Sequence, residues 1–324
     1  MKQFLYISTL FITLLSCSVP PTLEGVWVSA YEQTPRQPDR QLVTKVITID
    51  KDSILVHSFY AGYENGEDTN KIPYQLLKDS IRTIVEEDEE IMAYSFKKDS
   101  LVLTSRDSTR TVYFRYPPRK LKLNRLSDAY RWSCDTGDGT IEFMSDSTLL
   151  YNNPIGESHK RWAFYKQTDD YLLFYMDGPY PLMVFPLSGN ADNFTARTNF
   201  DGKMRYQFVK QADNPVVPDI VGKWKLQQMA LTQSDFPGGD TLIHYKNNPI
   251  VEITSDSIFW GQIHYGYQWD HTKQYLLCYF IGIDSNDEGG GQDFTTFKLI
   301  TSSGTDLNLE RQRSYGVFTY TFSK

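Results

Sequence analysis

Basic charge, histidine, cysteine and long apolar runs are all scarce in this chain. Its 324 residues contain 33 Lys and Arg against 40 Asp and Glu, a net charge of −7, so it lacks the positive surface that nucleic-acid binding requires. Its five histidines and three cysteines match no usual zinc spacing. No nucleophile elbow, His-Glu-x-x-His helix or phosphate-binding glycine loop occurs. These absences argue against nucleic-acid binding and catalysis, and they predict neither a metal nor a cofactor.

The one sustained apolar stretch lies at the N-terminus. Lys2 is followed by mainly apolar residues over 4–15 and then by Cys17, the order of a secretory signal peptide that is too short to span a membrane. Residues 14–17, Leu-Leu-Ser-Cys, resemble the bacterial lipobox. The resemblance implies a lipoprotein signal peptide over 1–17, lipidation of Cys17 and a Gram-negative cell-envelope location. The alternative is an ordinary signal peptide with an incidental cysteine.

Alternating apolar and aromatic residues are what the chain has in plenty. One phrase, an alternating run, an Asp-Ser turn and a second run, occurs as VITIDKDSIL (46–55), TIEFMSDSTLL (140–150) and VEITSDSIFW (251–260). Alternation at period two predicts strands with one buried face, and Asp and Ser favour tight turns. No stretch longer than about ten residues has a helical period. The sequence therefore predicts an all-β, antiparallel fold with short hairpins.

The repeated phrase belongs to a longer unit. Each unit opens on a tryptophan strand and closes on an alternating aromatic strand such as MRYQFVK (204–210). Proline-containing joins at 116–128 and 210–222 read as linkers, because proline cannot continue a strand ladder. Self-similarity at this scale predicts three tandem β-domains after the signal peptide. Their predicted boundaries are 18–118, 124–212 and 219–324.

The tryptophan strands suggest a family. Gly25-Val26-Trp27 and Gly222-Lys223-Trp224 resemble the Gly-x-Trp opening strand of lipocalin-like proteins, and most closely the lipocalin-like domain lipoproteins of Bacteroidetes type. The resemblance implies tandem small antiparallel β-barrels or curved meander sheets, with interiors that hold one small ligand or are filled by side chains. The middle unit reads Tyr130-Arg131-Trp132 and lacks the glycine, so the resemblance does not extend barrel closure to this unit.

An aromatic stretch in the third unit is the candidate ligand site. Alternation within residues 258–271 places Trp260 with Gln262 and His264 on one face, and Ile263 with Tyr265 and Tyr267 on the other. Glycines within a strand let a ligand approach the backbone closely. The candidate ligand-binding residues are Trp260, Gln262, His264, Tyr265, Tyr267 and Trp269. The alternative is that one face is core and the other an ordinary surface.

Other clusters of ligating residues have ordinary interpretations. His264, Asp270 and His271 follow no strong metal spacing, and the loop at 284–294 has Thr295 where a calcium loop needs its bidentate Glu. The acidic run at 86–90 predicts a solvated hairpin tip. For Cys134 and Cys278, buried free thiols are the prediction and a disulfide is the alternative.

The Asp-Ser and Asp-Thr turns have a second interpretation. With the residue that follows, they resemble the acceptor motif for general O-glycosylation in Bacteroidetes envelopes; the alternative is a good turn before a strand. The candidate acceptors are Ser53, Ser80, Ser100, Ser108, Ser147, Thr241 and Ser257.

The predicted function is non-enzymatic. The leading hypothesis is a lipid-anchored envelope protein that binds or presents a small apolar molecule, a glycan or a protein partner. The alternatives are a structural or interaction scaffold with filled barrels and a hydrolase with scattered carboxylates. Residues 18–25 carry no early acidic run, which favours the outer membrane with the protein on its periplasmic side.

Overall fold

The fold consists of antiparallel strands throughout the described residues. The computed structural model describes residues 22–61, 66–85, 88–116, 121, 126–144, 147–152, 160–176, 179–200, 205–232, 239–283, 294–313 and 316–324. These ranges contain 25 strands and no helix, and so no helix that could cross a membrane. The prediction of an all-β fold of tandem small antiparallel barrels is confirmed.

Barrel 1 is an eight-stranded meander. Its strands are β1 (Gly25–Gln33), β2 (Lys45–Ile49), β3 (Ser53–Tyr60), β4 (Gly66–Leu76), β5 (Ser80–Val85), β6 (Asp88–Lys97), β7 (Ser100–Thr104) and β8 (Arg110–Arg115). Each strand pairs with the next, and β8 pairs with β1 to close the ring. The acidic run begins in the connection between β5 and β6 and continues into β6, although residues 86 and 87 lie outside the described residues.

Barrel 2 is also closed, which corrects the expectation drawn from its missing glycine. Its strands are β9 (Ala129–Cys134), β10 (Gly137–Phe143), β11 (Thr148–Tyr151), β12 (Arg161–Gln167), β13 (Leu172–Tyr175), β14 (Leu182–Gly189), β15 (Asn193–Thr198) and β16 (Arg205–Lys210). The last strand pairs with the first, with Phe208 opposite Trp132.

Barrel 3 is a ring of eight strands with a ninth attached. Its strands are β17 (Gly222–Thr232), β18 (Thr241–His244), β19 (Ile250–Ile253), β20 (Ser257–Trp260), β21 (Ile263–Trp269), β22 (Tyr275–Ile283), β23 (Phe294–Ser302), β24 (Asp306–Arg313) and β25 (Gly316–Ser323). The long β17 pairs with β19 through its first residues and with β18 further along, while β25 closes the ring on its other side.

The Gly-x-Trp strands share one local structure in barrels 1 and 3. The indole of Trp27 donates to the Leu23 carbonyl at 2.8 Å, and the indole of Trp224 donates to the Ile220 carbonyl at the same distance. A cation covers each ring, and the glycine two residues before has φ of +129° or +142°, which favours glycine. A Cβ on the first glycine, Gly25, would collide with the guanidinium over its tryptophan.

The counterpart of these tryptophans in barrel 2 is Tyr130. It is fully buried and pairs with Lys210 on the closing strand, as Trp27 pairs with Arg115. Asp128 stands where the other barrels have glycine, and its carboxylate is 2.9 Å from the Lys210 ammonium. In the structure, the counterpart of Trp27 and Trp224 therefore lies two residues before Trp132, the residue that a sequence alignment of the three units would choose. Trp132 does not occupy the position of the other two tryptophans.

The outer faces of neighbouring barrels pack against each other. Barrels 1 and 2 share a cluster of buried apolar residues that includes Phe59, Phe114, Met183 and Phe185. Barrels 2 and 3 share Met144, Leu150, Leu277 and Phe294, with Trp162 and Phe164 packed against them. Strands at these contacts are buried on both faces, which explains runs such as Leu-Leu-Phe at 172–174. Buried apolar contacts thus connect barrel 1 to barrel 2 and barrel 2 to barrel 3.

Candidate binding cavity of barrel 2

One end of barrel 2 contains a cavity of about 570 Å³. The lining residues come from the end of β9 and the start of β10, and from the corresponding ends of later strands, so the cavity occupies one mouth of the barrel. Its volume falls in the usual range for small-molecule sites. Most of the lining is apolar or aromatic: Trp132, Ile141, Tyr151, Phe174, Met176, Leu182, Val184, Phe200, Tyr206 and Phe208. We call this space the Trp132 cavity.

The position of Trp132 depends on a glycine across the strand pair. Gly139 lies opposite Trp132 in the β9–β10 register, and a Cβ at Gly139 would be 2.8 Å from the indole nitrogen. The ring also contacts Tyr206, with centroids 5.9 Å apart. The Trp132 ring therefore lies directly against the backbone of Gly139. Residues 134–140, Cys-Asp-Thr-Gly-Asp-Gly-Thr, are typical of a hairpin turn and do not by themselves indicate this contact.

Replacing Gly139 by alanine should destabilise barrel 2 by about 1–3 kcal/mol, because the added methyl group displaces the indole from its place in the wall. The midpoint of urea unfolding measures the loss. Gly304→Ala is the matched control, since a Cβ there meets nothing within 4 Å. Equal midpoints for the two variants would show that Trp132 does not depend on this close approach.

Few polar groups face the cavity. The Thr198 hydroxyl is buried and has no hydrogen-bond partner among the described atoms, while the Asn152 side-chain oxygen accepts from the Thr140 backbone amide at 2.6 Å. The rest of the lining comprises Arg161, the half-buried Cys134, Thr136 and Gly137. A buried hydroxyl without a partner is costly, so a ligand that reached the Thr198 oxygen would supply the hydrogen bond that it lacks.

The aromatic stretch predicted as a ligand site lies mostly in the core of barrel 3. Trp260 packs edge-on against Tyr320 and Phe322, with centroids 5.2 and 5.8 Å away. The expected face of Trp260 was shared with Gln262 and His264. A tight turn at Gly261, where φ is +64°, interrupts the strand, so that Trp260 instead shares the inner face of the barrel with Tyr265.

The other members of that stretch divide between the two faces. Tyr267 and Trp269 also belong to the inner core, with centroids 6.2 Å apart. Gln262 is exposed in the turn, and His264 stacks on Phe259 at 4.4 Å on the outer face.

A buried polar cluster joins barrels 2 and 3. The Lys160 ammonium donates to Asp270 Oδ2 at 2.6 Å and lies 3.5 Å from Glu142 Oε2. His271 Nδ1 is 2.9 Å from the same Glu142 oxygen, and Thr272 donates to Asp270. We call this the Lys160 cluster. Of the three residues considered as metal ligands from the sequence, Asp270 and His271 belong to this cluster, whereas His264 stacks on Phe259 elsewhere.

The electrostatics of the Lys160 cluster suit an ion pair. Ligand atoms of Glu142, Asp270 and His271 lie within 4.8 Å of one another, but the Lys160 ammonium supplies the positive charge between the two carboxylates. Burial by itself would raise the pKa of Asp270. The charge of Lys160 and hydrogen bonds from Lys160, Thr272 and the Tyr275 amide outweigh it and hold that pKa below its ordinary value.

The remaining candidate residues differ in exposure. Cys134 and Cys278 are both free thiols, but only Cys278 is fully buried, and burial raises the pKa of its thiol. Among the candidate acceptors for sugar, Ser53 is buried, whereas Ser80, Ser100 and Ser257 are half-buried and Ser108, Ser147 and Thr241 are exposed. Cys17 and the glycine-rich loop up to residue 293 lie outside the described residues.

Comparisons with known proteins assign no family. No family model matches the chain, and no curated protein matches it. Transferrin binding protein B of Haemophilus parasuis, as a double mutant, is 9% identical over 93% of this chain and 74% of its own, with a TM-score of 0.20. The same protein from serogroup B Neisseria meningitidis is 8% identical over 90% and 67%, with a TM-score of 0.17. DNA polymerase III subunit beta from Pseudomonas aeruginosa is 8% identical over 94% of both chains, with a TM-score of 0.16. TM-scores this low do not indicate a common fold, so these likenesses carry no function to this chain.

Proposed function

We propose that this chain is a lipid-anchored, non-catalytic binding protein of the Gram-negative cell envelope, and that barrel 2 holds a small apolar molecule. The Trp132 cavity carries the proposal, because an open, mainly apolar space of about 570 Å³ at a barrel mouth suits such a ligand. The buried hydroxyl of Thr198 would orient the ligand through one hydrogen bond.

The size of the cavity sets the expected affinity. A ligand that buries about 300 Å² of apolar surface gains about 7 kcal/mol at about 25 cal/mol per Å². That is close to what a micromolar Kd needs, and association also costs translational and rotational freedom. Because the association cost offsets part of the gain, we expect binding weaker than micromolar, which suits a carrier that must release its ligand.

The anchor part of the proposal depends on Cys17. Residues 18–24 separate that cysteine from the first strand, and seven residues span at most about 25 Å. Lipidation would therefore hold barrel 1 close to the membrane and place the Trp132 cavity one barrel away from it. We place the protein at the outer membrane, on its periplasmic side.

The first test is native mass spectrometry of the chain extracted from its own membranes. A discrete extra mass that leaves on mild activation supports a carried ligand, and a retained mass on Cys17 supports lipidation. Covalent sugar would appear as increments that survive activation, and we propose Ser108, Ser147 and Thr241 as the acceptors because they are exposed.

Blocking Cys134 should abolish ligand binding. In the polypeptide 18–324, which contains every described residue, a bulky maleimide should react with Cys134 and leave Cys278 unmodified, because Cys278 is fully buried. The labelled protein should lose at least 90% of the fluorescence rise that N-phenyl-1-naphthylamine shows with the free protein, as expected for a ligand excluded from an apolar cavity.

A small methylthio group on Cys134 is the matched control and should leave most of that rise intact. If the bulky label leaves the fluorescence unchanged, the dye binds elsewhere and the Trp132 cavity is not its site.

A rigid spacer is the second candidate function. The buried apolar contacts between consecutive barrels, together with the Lys160 cluster, favour a stiff three-barrel rod on the membrane. A chain that leaves the membrane with its lipid and nothing else, and that binds no dye, would favour this role over a carrier.

A further inference from the structure

A second cavity, of about 350 Å³, lies in barrel 3. It is formed where β21 and β23 begin and where β22 and β24 end, so it occupies one mouth of that barrel. Its described lining is Ile263, Tyr265, Phe280, Phe294, Thr295, Arg311 and Arg313. We call it the Arg311 cavity. It is separate from the Trp132 cavity, since the two have no described lining residue in common.

The two arginines face the interior because of strand alternation. Leu307 and Leu309 on β24 are buried in the core of barrel 3, at 0% and 3% exposure. Side chains two residues apart share a face, so Arg311 and Arg313 continue this inner face toward the mouth. The Arg311 guanidinium lies over the Phe297 ring, 5.7 Å from its centroid.

The positive charge at this mouth has no partner among the described residues. The Arg311 Nε is buried and makes no hydrogen bond there, and no ion pair of Arg311 or Arg313 is formed within the described ranges. None of the seven lining residues is acidic. Glu310 lies next to Arg311 in sequence, but it points to the opposite face, where it pairs across from Lys298. Arg311 is half-buried with its Nε enclosed, and Arg313 is exposed at the rim, so an anion held between them would give the enclosed Nε–H the partner that it lacks among the described residues.

We infer that the Arg311 cavity binds a small organic anion. The planar guanidinium fork matches a carboxylate or phosphate group, which would lie between Arg311 and Arg313. The Tyr265 and Phe280 rings, 6.0 Å apart, would contact the apolar part of the ligand. The inference is independent of the proposed function of barrel 2, because the two ligands differ in charge and occupy different barrels.

The test compares octanoate with octanol by isothermal titration calorimetry, using residues 18–324 with Cys134 blocked by the bulky maleimide. Octanoate should bind at least tenfold more tightly than octanol, since the two differ only in the charged head group. Octyl phosphate in the same experiment identifies the head group: tighter binding by either anion supports the site, and equal binding by all three compounds contradicts it.

Variants assign the effect to the arginines. Arg311→Gln and Arg313→Gln should each weaken binding of the preferred anion at least tenfold and leave octanol unchanged. Arg205→Gln, on an exposed side chain of barrel 2, is the matched control and should bind the anion as the unmodified sequence does. Arg311→Lys is the conservative variant, because it keeps the positive charge but loses the planar guanidinium fork. It should fold like the unmodified protein and weaken anion binding less than Arg311→Gln does. Anion binding that survives both glutamine variants would overturn the inference.

Discussion

Lys160→Met is expected to destabilise the paired barrels 2 and 3 by about 3–5 kcal/mol, the loss typical of breaking a buried ion pair from one side. The Lys160 side chain is 6% exposed, and its ammonium contacts two carboxylates, Asp270 at 2.6 Å and Glu142 at 3.5 Å. Without it, two buried negative charges face each other with no cation between them. Urea unfolding followed by tryptophan fluorescence measures the loss, because Trp162 packs on Phe294 across the same interface.

Two comparisons decide whether charge is the cause. Lys210→Met removes an ion pair on the same barrel, but the Lys210 and Asp128 side chains are 40% and 38% exposed, so the expected loss of stability is much smaller. Adding Asp270→Asn to Lys160→Met removes one uncompensated charge and should recover part of the stability. A Lys160→Met protein as stable as the Lys210→Met protein would show that the cluster is not a buried ion pair.

The same cluster predicts a pH dependence. Because Lys160 and the hydrogen bonds lower the pKa of Asp270 in the folded state, this group adds stability above its ordinary pKa of about 4. That stability is lost as the pH falls from about 4 to below the lowered pKa that Asp270 has in the folded protein. Lys160→Met should flatten this acid limb relative to the Lys210→Met control.

Trp224→Ala should cost about 3–5 kcal/mol in barrel 3, since the side chain is fully buried and leaves a large cavity. Tyr130→Ala should cost a comparable amount in barrel 2, because Tyr130 is equally buried and its hydroxyl donates to the Ala191 carbonyl at 2.8 Å. Trp132→Ala should cost clearly less, because Trp132 is only partly buried and lines a cavity. Midpoints of urea unfolding measure all three losses.

These three variants test which residue of barrel 2 corresponds to Trp224: Trp132, as a sequence alignment of the units suggests, or Tyr130, as the structure shows. If Trp132→Ala were as destabilising as Trp224→Ala, and Tyr130→Ala were mild, the two-residue offset of barrel 2 would be wrong. Trp224→Phe isolates the hydrogen bond: it keeps most of the ring but leaves the Ile220 carbonyl without its donor, for an expected cost of about 1–3 kcal/mol.

The amino-acid sequence by itself determined the class of the fold. Period-two alternation and Asp-Ser turns are local signals, so the hairpins of all three barrels were predicted from residues such as those at 46–55 and 251–260. The two Gly-x-Trp strands also had a local cause, since the glycine conformation and the indole hydrogen bond involve residues within five positions of one another.

Only the tertiary structure decided which face of each strand is inside and what the faces contact. Alternation shows that a strand has two faces but does not show which of them is buried. The single turn at Gly261 was enough to put Trp260 on the same inner face as Tyr265, against the expectation from alternation. Closure of barrel 2 depends on β16 meeting β9, and the Trp132 cavity depends on an offset that a tryptophan-based alignment hides. The Lys160 cluster joins residues 110 positions apart, and such contacts leave no periodic trace in the sequence. The fold class is thus a local property of this chain, whereas its cavities and interfaces are set by long-range packing.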